Sequence, residues 1–198
     1  PSISSAAFKL ENSAWIPNLQ SHVQFYKHSS GAELIIFKNK DSLRRFCVGF
    51  KTVPEDDSGL AHITEHLVMR RWSQLHSSED AMASLLSSTF HSDLNASTDP
   101  AFTSFFVASR ETKDFLRLAR YCLDVTAQPA LLQSDFASEI THLKKMRGKG
   151  WYSNGTLLNE MRAANSTPHG TLFNAASKSL FGLHSLGFNF GGASSDIT

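Results

Sequence analysis

Cysteine is scarce in this chain, with Cys47 and Cys122 the only two in 198 residues. Two thiols cannot build the multi-bridge framework that staples small secreted domains, so the fold must rest on a packed core. Each cysteine lies in an apolar run and reads as a small core residue, which favours a reducing compartment. Long apolar runs are also missing: none reaches the ~18 residues of a membrane span. Residues 1–10 lack the charged and apolar regions of a secretory leader. An excess of one charge is absent as well, with 19 Lys and Arg against 18 Asp and Glu. Bulk electrostatics therefore steers the chain toward neither nucleic acid nor an acidic partner. Lys144, Lys145, Arg147 and Lys149 form a local basic cluster that reads as a solvated helix end and loop. Internal repeats and low-complexity linkers are lacking too. The sequons at Asn95, Asn154 and Asn165 read as chance matches.

What is present suits a soluble globular protein: 41% hydrophobic and 19% charged residues over a length that predicts one domain, 1–198. Residues 1–19 read as an irregular lead-in with Trp15 and Ile16 packed. Alternation predicts strands over 22–27, 32–37 and 45–53, with Phe46, Val48 and Phe50 sharing a face of the third. Glu55, Asp56 and Asp57 then suit the N-terminus of a helix over 58–71. A helix capped by Ser77 or Ser78 opens with Glu79 and Asp80 and buries Met82, Leu85 and Leu86. Strands follow over 90–97 and 101–109. The stripe Phe115, Leu118, Ala119, Cys122 marks a core-facing helix over 111–126. Further helices are expected over 134–147, ended by Gly148-Lys149-Gly150, over 156–165 with Leu157, Leu158 and Met161 apolar, and from Pro168 to about residue 180. Paired strands with helices between them predict an α+β fold, a two-layer sandwich of helices on a largely antiparallel sheet.

The chemistry is concentrated in His62-Ile63-Thr64-Glu65-His66, an inverted zinc-peptidase motif, H-x-x-E-H. On a helix, His62 and His66 share a face, and two imidazoles so placed can bind one Zn²⁺. Glu65 beside them can take a proton from a water that a metal has acidified. Nine histidines make a chance match conceivable, so the context of the motif matters. A catalytic zinc usually has three protein ligands, and with both cysteines in core-like positions the third donor is expected to be a carboxylate. Glu79, Glu111, Glu139 and Glu160 are the candidates. Glu160, flanked by Leu158, Asn159 and Met161, either partners a metal or is an exposed helix carboxylate; its local sequence leaves both open.

The wider pattern resembles the pitrilysin/insulinase family of zinc peptidases, above all its presequence-protease-like branch. The resemblance spans residues 20–192. It rests on Gly31-Ala32, Phe50-Lys51-Thr52-Val53-Pro54, Asp57-Ser58-Gly59-Leu60-Ala61-His62, Leu94-Asn95-Ala96, Val107-Ala108-Ser109, Lys113-Asp114-Phe115, Leu123-Asp124 and Pro129, Phe136 with Glu139, Leu158-Asn159-Glu160-Met161 and Gly191-Gly192. The fold it implies is similar to the mitochondrial-processing-peptidase-like metallohydrolases. His62, His66 and Glu160 would then bind one Zn²⁺, and Glu65 would activate the water. Asn95 would hold the substrate backbone on an edge strand by β-augmentation, and Glu139 would be a carboxylate behind or beside the metal.

The implied activity is zinc-dependent hydrolysis of short unstructured peptides. Family enzymes enclose substrate between two related halves, so a second half-domain, in cis or in trans, is an expected partner. Two departures stand out. Leu67-Val68-Met69-Arg70-Arg71-Trp72 replaces the small residues expected after the motif, and the chain stops where the family's domain continues. The expectation is thus a metal-bearing N-terminal domain truncated at its C-terminal end. The alternative is a non-catalytic binding or structural relative, against which the complete set of zinc residues argues. S-ribosylhomocysteine lyases share the motif but need a cysteine ligand beside glycine, a setting neither Cys47 nor Cys122 has.

Overall fold

The computed structural model describes residues 8–71, 81–146, 148 and 150–195, the side chains of residues 81 and 82 excepted. The chain divides into two compact units, residues 1–42 and 43–198. In the first, strands β1 (Lys9–Ile16), β2 (Ser21–Lys27) and β3 (Glu33–Lys38) form an antiparallel sheet in that order. The described part of the expected irregular lead-in is therefore mostly a strand, bulged between Leu10 and Asn12, and Trp15 is 57% exposed rather than packed. The bulge breaks the alternation, which hides the strand from a period-two reading.

The second unit holds the elements β4 (Arg44–Lys51), α1 (Leu60–Arg70), α2 (Ala81–Ser88), β5 (Asp93–Thr98), β6 (Phe102–Ser109), α3 (Thr112–Ala127), α4 (Gln133–Glu139), β7 (His142–Met146), β8 (Gly150–Asn154), α5 (Thr156–Ser166) and α6 (Pro168–Phe181). Its main sheet is antiparallel in the order β4-β6-β5, with Phe46 opposite Val107 and Val48 opposite Phe105. Because side chains alternate, these residues and Leu94 share one face. Onto that face pack Val68 and Met69 of α1, Leu85 of α2, and Leu118, Tyr121, Cys122 and Val125 of α3. The helix-on-antiparallel-sheet layering expected from the sequence is the one observed. Tyr121 satisfies its buried hydroxyl by donating to the Met69 carbonyl at 2.8 Å.

The two cysteines part company. Burial pushes the Cys122 thiol up to about 12, with Cys47 adding a smaller electrostatic contribution. Cys47 itself is exposed, contrary to the expected core position, because alternation along β4 turns Phe46 and Val48 inward and Cys47 outward.

A smaller cluster of Ile140, Leu157, Leu158 and Met161, with Ile63 of α1 against it, ties α5 to the motif helix. Gly155 permits this close approach, since a Cβ there would stand 2.0 Å from the Ile140 carbonyl oxygen. The helix expected over 134–147 stops at Glu139. Ile140 turns into the small cluster, and residues 142–154 form the β7–β8 hairpin around Gly148 and Gly150, both at positive φ. Lys144 and Lys145 are exposed on this hairpin rather than on a helix end, with the Lys145 ammonium 5.8 Å from the Trp151 ring centre. Leu86 is 38% exposed, whereas Leu85 is fully buried as expected. The expected cap at Ser77 or Ser78, the Glu79-Asp80 helix start, Trp72, Arg147 and Lys149 lie outside the described residues.

Candidate metal centre and active site

The motif occupies the first two turns of α1. Its N-cap is Gly59 at φ +68°, a left-handed conformation that glycine adopts without penalty. A Cβ at Gly59 would also collide with Gly192 Cα at 2.6 Å. The nearby acids stand in the loop before the helix, and α1 has none in its first turn. Asp56 accepts from the Ser58 amide, and Asp57 reaches the C-terminal segment, accepting from the Asn189 amide at 2.7 Å and the Lys178 ammonium at 3.2 Å. The Asp57 carbonyl accepts from the Ala193 amide at 2.8 Å. Asn165 adds a second tether, its side-chain oxygen accepting from Asn174 at 3.0 Å and Asn189 at 3.2 Å.

These tethers deliver a backbone carbonyl to the motif: His62 Nδ1 lies 3.0 Å from Gly191 O. A carbonyl oxygen only accepts, so Nδ1 carries the proton and Nε2 keeps its lone pair. His66 is held by different chemistry with the same result. Its Nδ1 faces the Glu139 carboxylate at 3.3 Å, which again leaves Nε2 free. The two rings are 4.9 Å apart at 81°. From α5, Glu160 brings one carboxylate oxygen to 3.8 Å from His62 Nε2 and the other to 3.4 Å from His66 Nε2.

The three donor atoms all lie within 4.8 Å of one another. Tetrahedral ligands about 2.0–2.2 Å from zinc stand roughly 3.3–3.6 Å apart, so the cluster fits such an ion with little closure. Glu160 is half exposed on its helix, yet it faces both imidazoles. Of the other carboxylates considered, Glu139 stands behind His66, Glu111 is exposed at the start of α3, and Glu79 lies outside the described residues.

Glu65 is buried beside this cluster, and the Thr98 hydroxyl donates to its Oε2 at 2.7 Å. Thr98 lies 3.2 Å from the Thr103 hydroxyl, which lies 2.8 Å from that of Thr52. One carboxylate oxygen is thereby anchored to the sheet.

Asn95 lies on β5, an edge strand of the main sheet. The Asp99 amide donates to the Phe102 carbonyl at 2.9 Å, which fixes the phase of the ladder. Asn95 and Ser97 bond toward β6, while Leu94, Ala96 and Thr98 turn their amides and carbonyls to the open edge. The outward Ala96 amide donates to the side-chain oxygen of Asn95 at 2.9 Å. A cavity of about 820 Å³ joins this edge to His62, Glu65, His66, Glu139 and Glu160. His62, Glu65, His66, Asn95, Glu139 and Glu160 thus border one space.

Reading the sequence missed Thr98, Asp135 and the Gly191 carbonyl. Arg70 and Arg71 were noted only as unusual. Their guanidinium groups meet α4: Arg70 Nε donates to Asp135 at 3.0 Å and its Nη1 to Glu139, while Arg71 donates to Asp135 from Nε and, at 2.9 Å, from Nη2. The Arg71 hydrogen bonds, then those from Arg70, hold the Asp135 carboxyl below the usual carboxylate range against the opposing effect of burial. Two acids four apart on α4, facing adjacent arginines, were the available signal.

Comparison with known proteins bears on this geometry. A family model described as insulinase (peptidase family M16) matches residues 46–179. The chain is 31% identical over 194 residues to presequence protease 1, chloroplastic/mitochondrial, of Arabidopsis thaliana, covering 96% of this chain and 18% of that protein. It is 33% identical over 133 residues to a mitochondrial presequence protease of Gibberella zeae, covering 67% of this chain and 13% of the relative. An uncharacterised protein of Borreliella burgdorferi is 29% identical over 192 residues, covering 96% of this chain and 19% of its own. The chain spans less than a fifth of the length of these relatives. Among solved structures, pitrilysin superposes with a TM-score of 0.68 at 16% identity, over 96% of this chain and 19% of pitrilysin. A Helicobacter pylori protease superposes at 0.59 and 18% identity, over 96% of this chain and 40% of that one. These superpositions establish a shared fold.

Proposed function

The chain belongs to the insulinase family of peptidases, peptidase family M16, and from that premise we propose that it is the metal-bearing part of a zinc-dependent endopeptidase acting on short unstructured peptides. The observation that carries this reading is the convergence of His62 Nε2, His66 Nε2 and the Glu160 carboxylate, with Glu65 beside them. Bound zinc would supply Lewis acidity toward the scissile carbonyl and the attacking water. The protein's own groups do the rest. Gly191 O and Glu139 fix the tautomers of the two imidazoles, and Thr98 aims Glu65. Glu65 removes a proton from the water and passes it to the leaving amine.

The open edge of β5 lends main-chain partners to an extended peptide of any sequence. When a peptide pairs there, the Ala96 amide leaves Asn95 for the substrate carbonyl, and the Asn95 side chain is released to hold the backbone. A preference for unstructured peptides follows, because a folded substrate cannot offer a free strand. Since the chain covers under a fifth of its relatives, a second half-domain in cis or in trans completes the enclosure in this proposal. Two free cysteines and the organelle names of the presequence proteases support a reducing organelle as its compartment.

The test has two parts. Elemental analysis of desalted protein offered zinc should find about one ion per chain, and Glu160→Ala should lose it. Glu65→Gln should retain the metal while peptide cleavage falls about 10²- to 10⁴-fold, the usual contribution of a general base. Cleavage by Glu65→Gln at the parent rate would remove Glu65 from the mechanism.

A further inference from the structure

His62, His66 and Arg70 recur every four residues along α1 and so line one face of that helix. The third member of the row is a cation. Its guanidinium forks between two carboxylates of α4, Nε meeting Asp135 Oδ1 at 3.0 Å and Nη1 meeting Glu139 Oε1. The other oxygen of Glu139 is the one that faces His66 Nδ1, at 3.3 Å. Glu139 is 8% exposed and Asp135 2% exposed, so neither carboxylate has much water to compensate its charge.

A carboxylate held only by an imidazole N–H would turn freely about its terminal torsion, which has broad, shallow wells. The forked grip of Arg70 removes that freedom, because a guanidinium fixes direction as well as charge. It pins one Glu139 oxygen and leaves the other aimed at His66. The orientation of His66 therefore depends on a residue that does not touch it.

We propose that Arg70 is a positioning residue of the metal site: by fixing Glu139 it fixes the ring plane and tautomer of His66, and so sets how tightly the site holds zinc. The inference rests on the His62, His66 and Glu160 reading and adds a residue to it. Groups that orient a metal-ligating histidine typically matter 10- to 100-fold in metal affinity.

The experiment is a chelator-competition titration with zinc alone, on the full chain and on Arg70→Ala, Glu139→Ala, the double variant and Arg70→Lys, with circular dichroism to verify folding. Arg70→Ala should bind zinc about 10-fold more weakly or worse. Glu139→Ala should lose at least as much. The double variant should be no weaker than Glu139→Ala alone, because Arg70 acts through Glu139. Arg70→Lys, which keeps the charge without the fork, should recover part of the loss. Parent affinity in folded Arg70→Ala, or losses that simply add in the double variant, would overturn the proposal. Should Arg70→Ala not fold, Arg70→Gln keeps the stem and carries the same expectation. Absence of zinc binding by the parent chain would overturn the three-ligand reading and this inference with it. Zinc binding that is indifferent to Arg70 would overturn this inference alone.

Discussion

His62 and His66 stand one helical turn apart and present the same nitrogen to the same point, yet they are held by opposite means. Behind His66 lies a buried charged corner of α1 and α4, in which Arg70 and Arg71 face Asp135 and Glu139. Behind His62 lies a neutral carbonyl, Gly191 O, brought in by separate hydrogen bonds of the C-terminal segment to the Asp57 carboxylate and the Asn165 side chain. The charged support is local in space and costly to break in part, because its two carboxylates are buried and each is held by guanidinium groups. The support behind His62 is divided among several contacts worth about 0.5–3 kcal/mol each, so it yields gradually. One site thus has a brittle side and a compliant side.

The sharpest way to break that contrast is Asp135→Ala. It leaves two guanidinium groups facing an empty buried position and should cost about 3–5 kcal/mol, read as a fall in the urea midpoint. A loss below about 1 kcal/mol would mean that the charged corner is no more brittle than the neutral one. On the compliant side the strongest perturbation is Gly59→Ala. It forces a Cβ into a left-handed position and against Gly192, and should cost about 1–3 kcal/mol in strain. Its thermal midpoint should drop, and amide exchange should quicken in residues 189–193. An unchanged midpoint would show that the segment can retreat from His62 without loss.

Acid supplies the mildest test. Asp135 titrates below its unfolded value, so it contributes stability at neutral pH that begins to fall away as pH drops into the ordinary carboxylate range. The loss is complete once pH has fallen below the depressed folded value. The parent chain should therefore show a larger acid-induced fall in stability than Asp135→Asn, which has no such proton to gain. Parallel curves for the two proteins, from denaturant titrations between neutral pH and pH about 3, would assign the acid response elsewhere.

How much of this was legible in the sequence follows the same division. The motif helix, the alternating strands of the main sheet and the apolar side of α5 declare themselves through periodicity, and the structure has them within a few residues of the expected bounds. The β7–β8 hairpin does not. His142-Leu143-Lys144-Lys145-Met146 has the composition of a helix end, and only tertiary placement of Ile140 stops α4 before it. β1 was hidden by its bulge. At the site, the histidines and carboxylates of distinctive chemistry could be named as candidates, whereas the charged corner was not found, although its arginines and acids are visible as letters. Gly191 was marked within a Gly-Gly pair, but the carbonyl it contributes is a group that every residue carries. Nothing in its side chain could announce that role.

The Gly191 carbonyl lies 129 residues beyond His62 along the chain. During synthesis at about 5–20 residues per second, roughly 6–26 s separate the two. Glu160 precedes Gly191 by 31 positions, so all three candidate donors exist for about 1.5–6 s before the group that assigns the tautomer of His62 has been made. In the zinc reading proposed above, a metal offered during synthesis would meet the three donors before the group that sets their final geometry.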